Sequence, residues 1–152
     1  PQGALKQMVD IYNKSGNSVL GVETVEPSQT GSYGIVEVEK LKNFQRITNI
    51  VEKPKPEEAP SNLAVVGRYI LTPRIFDLLT NLPRGAGNEI QLTDGIARLL
   101  DHEFALAHAF DGKRYDCGSK LGYLEATVAY GLKHPETGGQ FRELLRQYAA
   151  GV

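Results

Sequence analysis

Leu63-Ala64-Val65-Val66-Gly67-Arg68-Tyr69-Ile70-Leu71-Thr72-Pro73-Arg74-Ile75-Phe76-Asp77-Leu78-Leu79 decides the fold. Leu63 to Leu71 is apolar enough for a buried strand. Thr72-Pro73 then reads as an N-cap residue followed by proline at the first helical position. Ile75, Phe76, Leu78 and Leu79 supply the buried face of a short helix, and Leu82-Pro83 stops it. A strand that passes straight into a helix points to interleaved rather than segregated elements.

Working outward, the same alternation holds. Ala4, Leu5, Met8, Val9 and Tyr12 form an amphipathic helical stripe over Ala4 to Lys14, stopped by Gly16. Ser18 to Val25, Tyr33 to Glu39 and Arg46 to Glu52 read as strands, the last ended by Pro54, which cannot donate to a sheet ladder. Lys53 to Asn62 has the composition of a solvated loop. After it, Asn88 onward spaces Ile90, Ile96, Ala97, Leu99 and Leu100 at helical intervals, Phe104 to Phe110 is a strand, and Arg114 to Cys117 is a short strand candidate. Gly118-Ser119 opens a helix with Leu121, Leu124, Val128 and Leu132 on one side, and Phe141, Leu144, Leu145 and Tyr148 mark a final helix. The expected class is α/β, with helices flanking a mixed sheet.

The chain has 152 residues, long enough for one core, so one domain or most of one is expected. With 17 basic and 18 acidic residues, the net charge of -1 gives no global field for nucleic acid or an anionic membrane. Cys117 is the only cysteine, which excludes an internal disulfide and a four-thiolate zinc site and fits a reducing cytoplasm. It reads as buried and inert. No apolar run is long enough to span a membrane, and the first residues lack signal-peptide order. The chain starts without methionine and already reads as a helix by Ala4, which suggests a fragment.

Ligands of open α/β sheets bind beyond strand ends, which draws attention to Glu52-Lys53-Pro54. A carboxylate there can accept hydrogen bonds from sugar hydroxyls. The adjacent ammonium, on the opposite side of the pleat, can meet a phosphate as a point charge. The competing reading is a solvated strand end. Asp116, at a strand-to-helix junction, can hold a divalent cation or simply cap a turn. Arg84-Gly85-Ala86-Gly87-Asn88 is glycine-rich before a helix but lacks the Lys-Ser/Thr ending of a phosphate loop, so it reads as a turn. His102, His108 and His134 share no metal-binding spacing.

Read in order, five segments resemble one family. They are Tyr33-Gly34-Ile35-Val36, Ile50-Val51-Glu52-Lys53-Pro54, Leu63 to Leu71, Asn88-Glu89-Ile90-Gln91-Leu92-Thr93-Asp94 and Tyr115-Asp116-Cys117-Gly118-Ser119-Lys120-Leu121-Gly122-Tyr123. Together they resemble the bacterial UTP–glucose-1-phosphate uridylyltransferases of the sugar-nucleotidyltransferase superfamily. The resemblance implies that residues 1–152 are the C-terminal, sugar-phosphate-binding part of a Rossmann-like nucleotidyltransferase fold, with the nucleotide-binding half absent and the fragment inactive alone. It implies UTP and glucose-1-phosphate as substrates, UDP-glucose and pyrophosphate as products, Mg2+ as cofactor and a homodimer or homotetramer. It assigns Glu52 to glucose hydroxyls, Lys53 to sugar-phosphate oxygens and catalysis, Asp116 to the metal, and the Gly34 and Val65 main chains to the sugar.

Two alternatives stand beside this reading. One is a non-catalytic sugar-phosphate-binding or assembly module that kept the fold. The other is a thymidylyl or guanylyl transferase of the same superfamily, because the residues that read the base are not present.

Overall fold

The computed structural model describes residues 2–84 and 88–151. The centre of the glycine-rich turn, residues 85–87, lies outside them. The chain divides into two compact units, residues 1–112 and 113–152.

The first unit opens with α1 (Ala4–Ser15), which buries Met8 and ends at Gly16, whose φ of 68° is the left-handed conformation glycine adopts without a Cβ penalty. There follow β1 (Ser18–Thr24), a 3-10 turn (Pro27–Ser32), β2 (Gly34–Lys40), β3 (Gln45–Glu52), β4 (Leu63–Ile70), α2 (Arg74–Thr80), α3 (Leu92–Leu100) and β5 (Ala105–Ala109). The strands lie in the order β1-β4-β2-β3-β5. β5 runs parallel to β1, and the other pairings are antiparallel, so the sheet is mixed as expected. It also closes on itself, because β3 meets β5 through Gln45 with Ala107 and Arg46 with Leu106. That closure joins residues about sixty positions apart and has no local signature.

The closed sheet makes two apolar clusters on opposite faces of its strands. Leu20, Val22, Val36, Ile47, Ile50 and Val65 form the larger one, capped by Ile75 of α2 and Ile96 of α3. Val25, Ile35 and Ala64 form the smaller. Each fully buried leucine or isoleucine contributes about 1.5–3 kcal/mol. The β1–β4 register slips between Leu20 and Val22, and β4 absorbs the extra residues at Gly67, whose φ is 73°.

Two expectations for this unit need correcting. Phe76 is 71% exposed, and only Ile75 of α2 is fully buried, because a seven-residue helix presents too narrow a face to bury four apolar positions. Thr72 does not cap α2. Its hydroxyl is bonded to Glu103, whose other oxygen lies 3.7 Å from Arg74, while its N–H donates to Ser18 Oγ at 3.1 Å. Thr72 therefore ties the end of β4 to the start of β1.

The second unit contains α4 (Lys120–Lys133) and α5 (Gly138–Ala150). Arg114 to Asp116 has no regular secondary structure and Cys117 begins a turn, so the stretch is not a strand. Of the stripe expected on α4, Leu121, Leu124 and Val128 are exposed, the first by 78%, and Leu132 is half-buried, with only Ala126 buried on that helix. Cys117 is likewise exposed, not buried.

Candidate functional site

β2 and β3 are antiparallel, and their register sets Gly34 directly opposite Glu52. Paired residues of an antiparallel ladder project to the same side, so Glu52 stands over Gly34. The register of β2 with β4, Ile35 beside Ala64, places Val65 next to Gly34 on the other flank. Gly34, Glu52 and Val65 are thus brought together on three adjacent strands. Val65 has its side chain in the main core, at 6% exposure, so any contact it makes with a ligand falls to its main chain.

Glu52 is held rather than merely present. The Thr93 hydroxyl, in the first turn of α3, donates to Glu52 Oε2 at 2.6 Å. A hydrogen bond to a carboxylate is stronger than a neutral one. The other oxygen, Oε1, lies 3.7 Å from Lys53 Nζ. A Cβ built on Gly34 would come within 3.2 Å of Glu52 Oε2 and 3.6 Å of Thr93 Oγ1. Glycine at 34 is therefore what leaves room for the carboxylate in this position.

Lys53 departs from the expected alternation. Its φ is 45°, and its N–H donates to Tyr33 O at 3.0 Å, so the backbone turns out of the strand immediately after Glu52. The turn brings the ammonium back to the side of its neighbour instead of across the pleat. The lysine side chain is 62% exposed and the Glu52 side chain 27%, so the cation is open to a ligand while the carboxylate is partly sheltered.

Tyr69, on β4, completes the electrostatic picture. Burial, and then the negative charge of Glu52, push its phenol above the ordinary tyrosine range. Both causes penalise the phenolate, so Tyr69 presents a neutral hydroxyl near the carboxylate. Thr93 and Tyr69 both fall within the quoted segments, yet nothing local distinguishes them as site residues. Thr93 is 41 positions from Glu52, and only the packing of α3 against β3 joins them.

Asp116 belongs to the second unit. Its Oδ1 accepts from Gly118 N at 3.0 Å, and its carbonyl accepts from Ser119 N at 3.2 Å and Ser119 Oγ at 3.1 Å. The carboxylate is exposed at the start of α4. It is a turn-capping aspartate by geometry, with one oxygen engaged by an amide. Among the described residues no group of three or more His, Cys, Asp or Glu is arranged to hold a metal ion. Asp116 suits a magnesium ion as one ligand among phosphate oxygens and waters, the arrangement that ion favours.

Replacing Thr93 with valine keeps the shape and removes the donor to Glu52. Because Glu52 is partly solvated, water replaces some of the lost bond, and affinity for a ligand held by Glu52 is expected to weaken by about 1 kcal/mol, or roughly fivefold. A KM increase with kcat nearly unchanged is the expected result. Unaltered KM would show that Thr93 does not position the carboxylate.

An interleaved α/β chain that ends an inner strand on a hydrogen-bonded carboxylate beside an exposed ammonium offers a place for a small polar ligand. The chain belongs to the nucleotidyl transferase family, whose sequence pattern matches residues 2–132. It is 45% identical over 145 residues to a UTP–glucose-1-phosphate uridylyltransferase of Staphylococcus epidermidis, covering 95% of this chain and 50% of that protein. It is 50% identical over 124 residues to the Pseudomonas aeruginosa protein of the same description, covering 81% and 44%. A UTP-bound UGPase from Acinetobacter baumannii superposes with a TM-score of 0.80 at 43% identity, covering 95% of this chain and 52% of that one. A UDP-glucose pyrophosphorylase complexed with UDP-glucose gives 0.79 at 45% identity, covering 85% and 49%. The chain spans about half the length of the relatives it matches. No helix among the described residues is long and apolar enough to cross a membrane.

Proposed function

We propose that this chain is the sugar-phosphate-binding portion of an enzyme that forms UDP-glucose and pyrophosphate from UTP and glucose-1-phosphate. The observation that carries the reading is the Gly34, Glu52 and Thr93 arrangement with Lys53 beside it. A partly sheltered carboxylate, fixed by one hydroxyl donor, is suited to accept bonds from sugar hydroxyls. An exposed ammonium 3.7 Å away is suited to the phosphate of the same small molecule. In the reaction, a phosphate oxygen of glucose-1-phosphate forms a bond to the α-phosphorus of UTP while the bond from that phosphorus to pyrophosphate breaks. No protein nucleophile is required. This chain's part is to hold the sugar phosphate in line and offset its negative charge as it approaches a second anion.

Gly34 and Val65 would offer main-chain contacts to the sugar. Asp116 would supply one oxygen to a magnesium ion, which when bound neutralises phosphate charge. We place the complete activity in the full-length protein, working as a homo-oligomer in the cytoplasm. The names and substrates of the relatives support this choice of base and sugar over thymidylyl or guanylyl transfer.

The test is turnover of the full-length enzyme with glucose-1-phosphate against UTP, dTTP and GTP, over a magnesium titration, for the native protein and Asp116→Asn. UTP is expected to rank first. The variant is expected to lose turnover strongly and to need more magnesium, since a neutral amide is a poor ligand for a hard cation. A different base ranking sinks the uridylyl reading, and an unchanged magnesium titration removes Asp116 from the metal.

A further inference from the structure

The β2–β3 hairpin ends in a tight turn, closed by Leu41 N donating to Phe44 O at 2.8 Å. The turn lies beside β5, because Gln45 pairs with Ala107. Between turn, β5 and α1 lies an open groove of about 420 Å3. Its lining includes the apolar Ile11, Phe44 and Ala107 and the polar Lys40, Lys42, Asn43, Gln45 and His108. Among the described residues no aspartate or glutamate lines it. Among the described residues, neither Lys40 nor Lys42 is in an ion pair. A groove lined by two lysines outside any ion pair, by amide side chains and by apolar residues suits an anion that carries a small organic body.

We propose that this groove is a second anion site, which takes a small phosphorylated metabolite by its phosphate group. The site is separate from Glu52 and Lys53. Those residues sit at the far end of the hairpin, on the order of 20 Å away along six or seven strand residues.

His108 supplies a built-in reporter. Gln7 Nε2 donates to the carbonyls of Gln2 and Asp111 at 2.9 Å each, and Gln7 Oε1 accepts from Asp111 N at 2.9 Å. Gln7 Oε1 is therefore the acceptor for His108 Nε2, 3.2 Å away. Burial pushes the imidazole below the ordinary histidine range, against the opposing charge of Asp111. The ring is thus mostly neutral at neutral pH, and the lysines supply the attraction. The neighbouring hollow, lined by Asp10, Lys14 and Asp111, is the less suitable place for an anion because of its carboxylates.

The experiment follows the His108 ring by NMR while inorganic phosphate is added at constant ionic strength, with chloride as control and His108→Gln to assign the signal. A saturable shift of His108 is expected, with its apparent pKa raised by the bound anion. Lys40→Gln with Lys42→Gln should weaken that binding tenfold or more, and Lys53→Ala should leave it intact. Both lysines are exposed, so the double variant should melt at the native temperature. The proposal is overturned if His108 does not respond saturably, if chloride reproduces the shift, or if Lys53→Ala abolishes it. Repeating the titration with glucose-1-phosphate separates free phosphate from a phosphate ester: tighter binding of the ester supports a metabolite site. Equal or weaker binding would reduce it to an adventitious ion only and sink the metabolite assignment.

Discussion

Lys53→Ala in the full-length enzyme is expected to lower turnover by about 10²–10³, the cost of removing one positioned electrostatic donor from a developing charge. Stability should hardly change. The lysine side chain is 62% exposed, and an ion pair in that setting contributes about 0–1 kcal/mol. A large kinetic loss with an unmoved melting curve is the signature of a residue that serves the substrate. On the proposed assignment Glu52→Ala should fail differently, since it would remove acceptors for uncharged hydroxyls. Its expected effect is a higher KM and an eroded preference for glucose-1-phosphate over a deoxy analogue, a ratio that Lys53→Ala should leave largely intact. The 3.7 Å separation of Lys53 Nζ and Glu52 Oε1 adds a condition. Residues that touch do not act independently, so the double variant should lose less than the product of the single losses. Should both single variants keep native kinetics, the pair is a solvated strand end and nothing more.

How much of this was legible in the sequence depended on whether the controlling contact was local. Strand ends at Pro54 and helix ends at Gly16 are written in single residues, and the structure places them where the chemistry of proline and glycine requires. Glu52 and Lys53 were visible as a charged pair at a strand end. Their relative orientation was not, because the positive φ of Lys53 overrides the pleat's alternation. Thr93 was invisible as a partner of Glu52, since only the packing of α3 on β3 brings them within 2.6 Å. The apolar stripe of α4 is legible as one side of a helix, but its exposure is not. Periodicity reports which residues share a face, not what covers that face. Asp116 kept both of its readings, because a turn-capping aspartate and a single metal ligand use the same side chain in the same place.

Gly122 carries the strongest prediction about stability. It occupies the third residue of α4, where alanine normally stabilises a helix over glycine by about 1 kcal/mol. Here the sign should reverse. A Cβ at 122 would lie 2.1 Å from Asp116 O, 2.9 Å from its carbonyl carbon and 2.8 Å from Ser119 Oγ. The first two are backbone atoms and cannot swing aside. The third is the N-cap side chain, which accepts from Gly122 N at 3.0 Å. Gly122→Ala must therefore push the Asp116 turn away from the helix and lose the cap, at a cost of about 1–3 kcal/mol for the overpacking and about 1 kcal/mol for the cap. Gly139→Ala in α5 is the matched control, because nothing lies within 4 Å of a Cβ there, and it should be neutral or slightly stabilising. Urea unfolding of the two variants decides the matter. If Gly122→Ala is as stable as Gly139→Ala, the close approach of helix and turn is not a real constraint, and the placement of Asp116 loses its structural support.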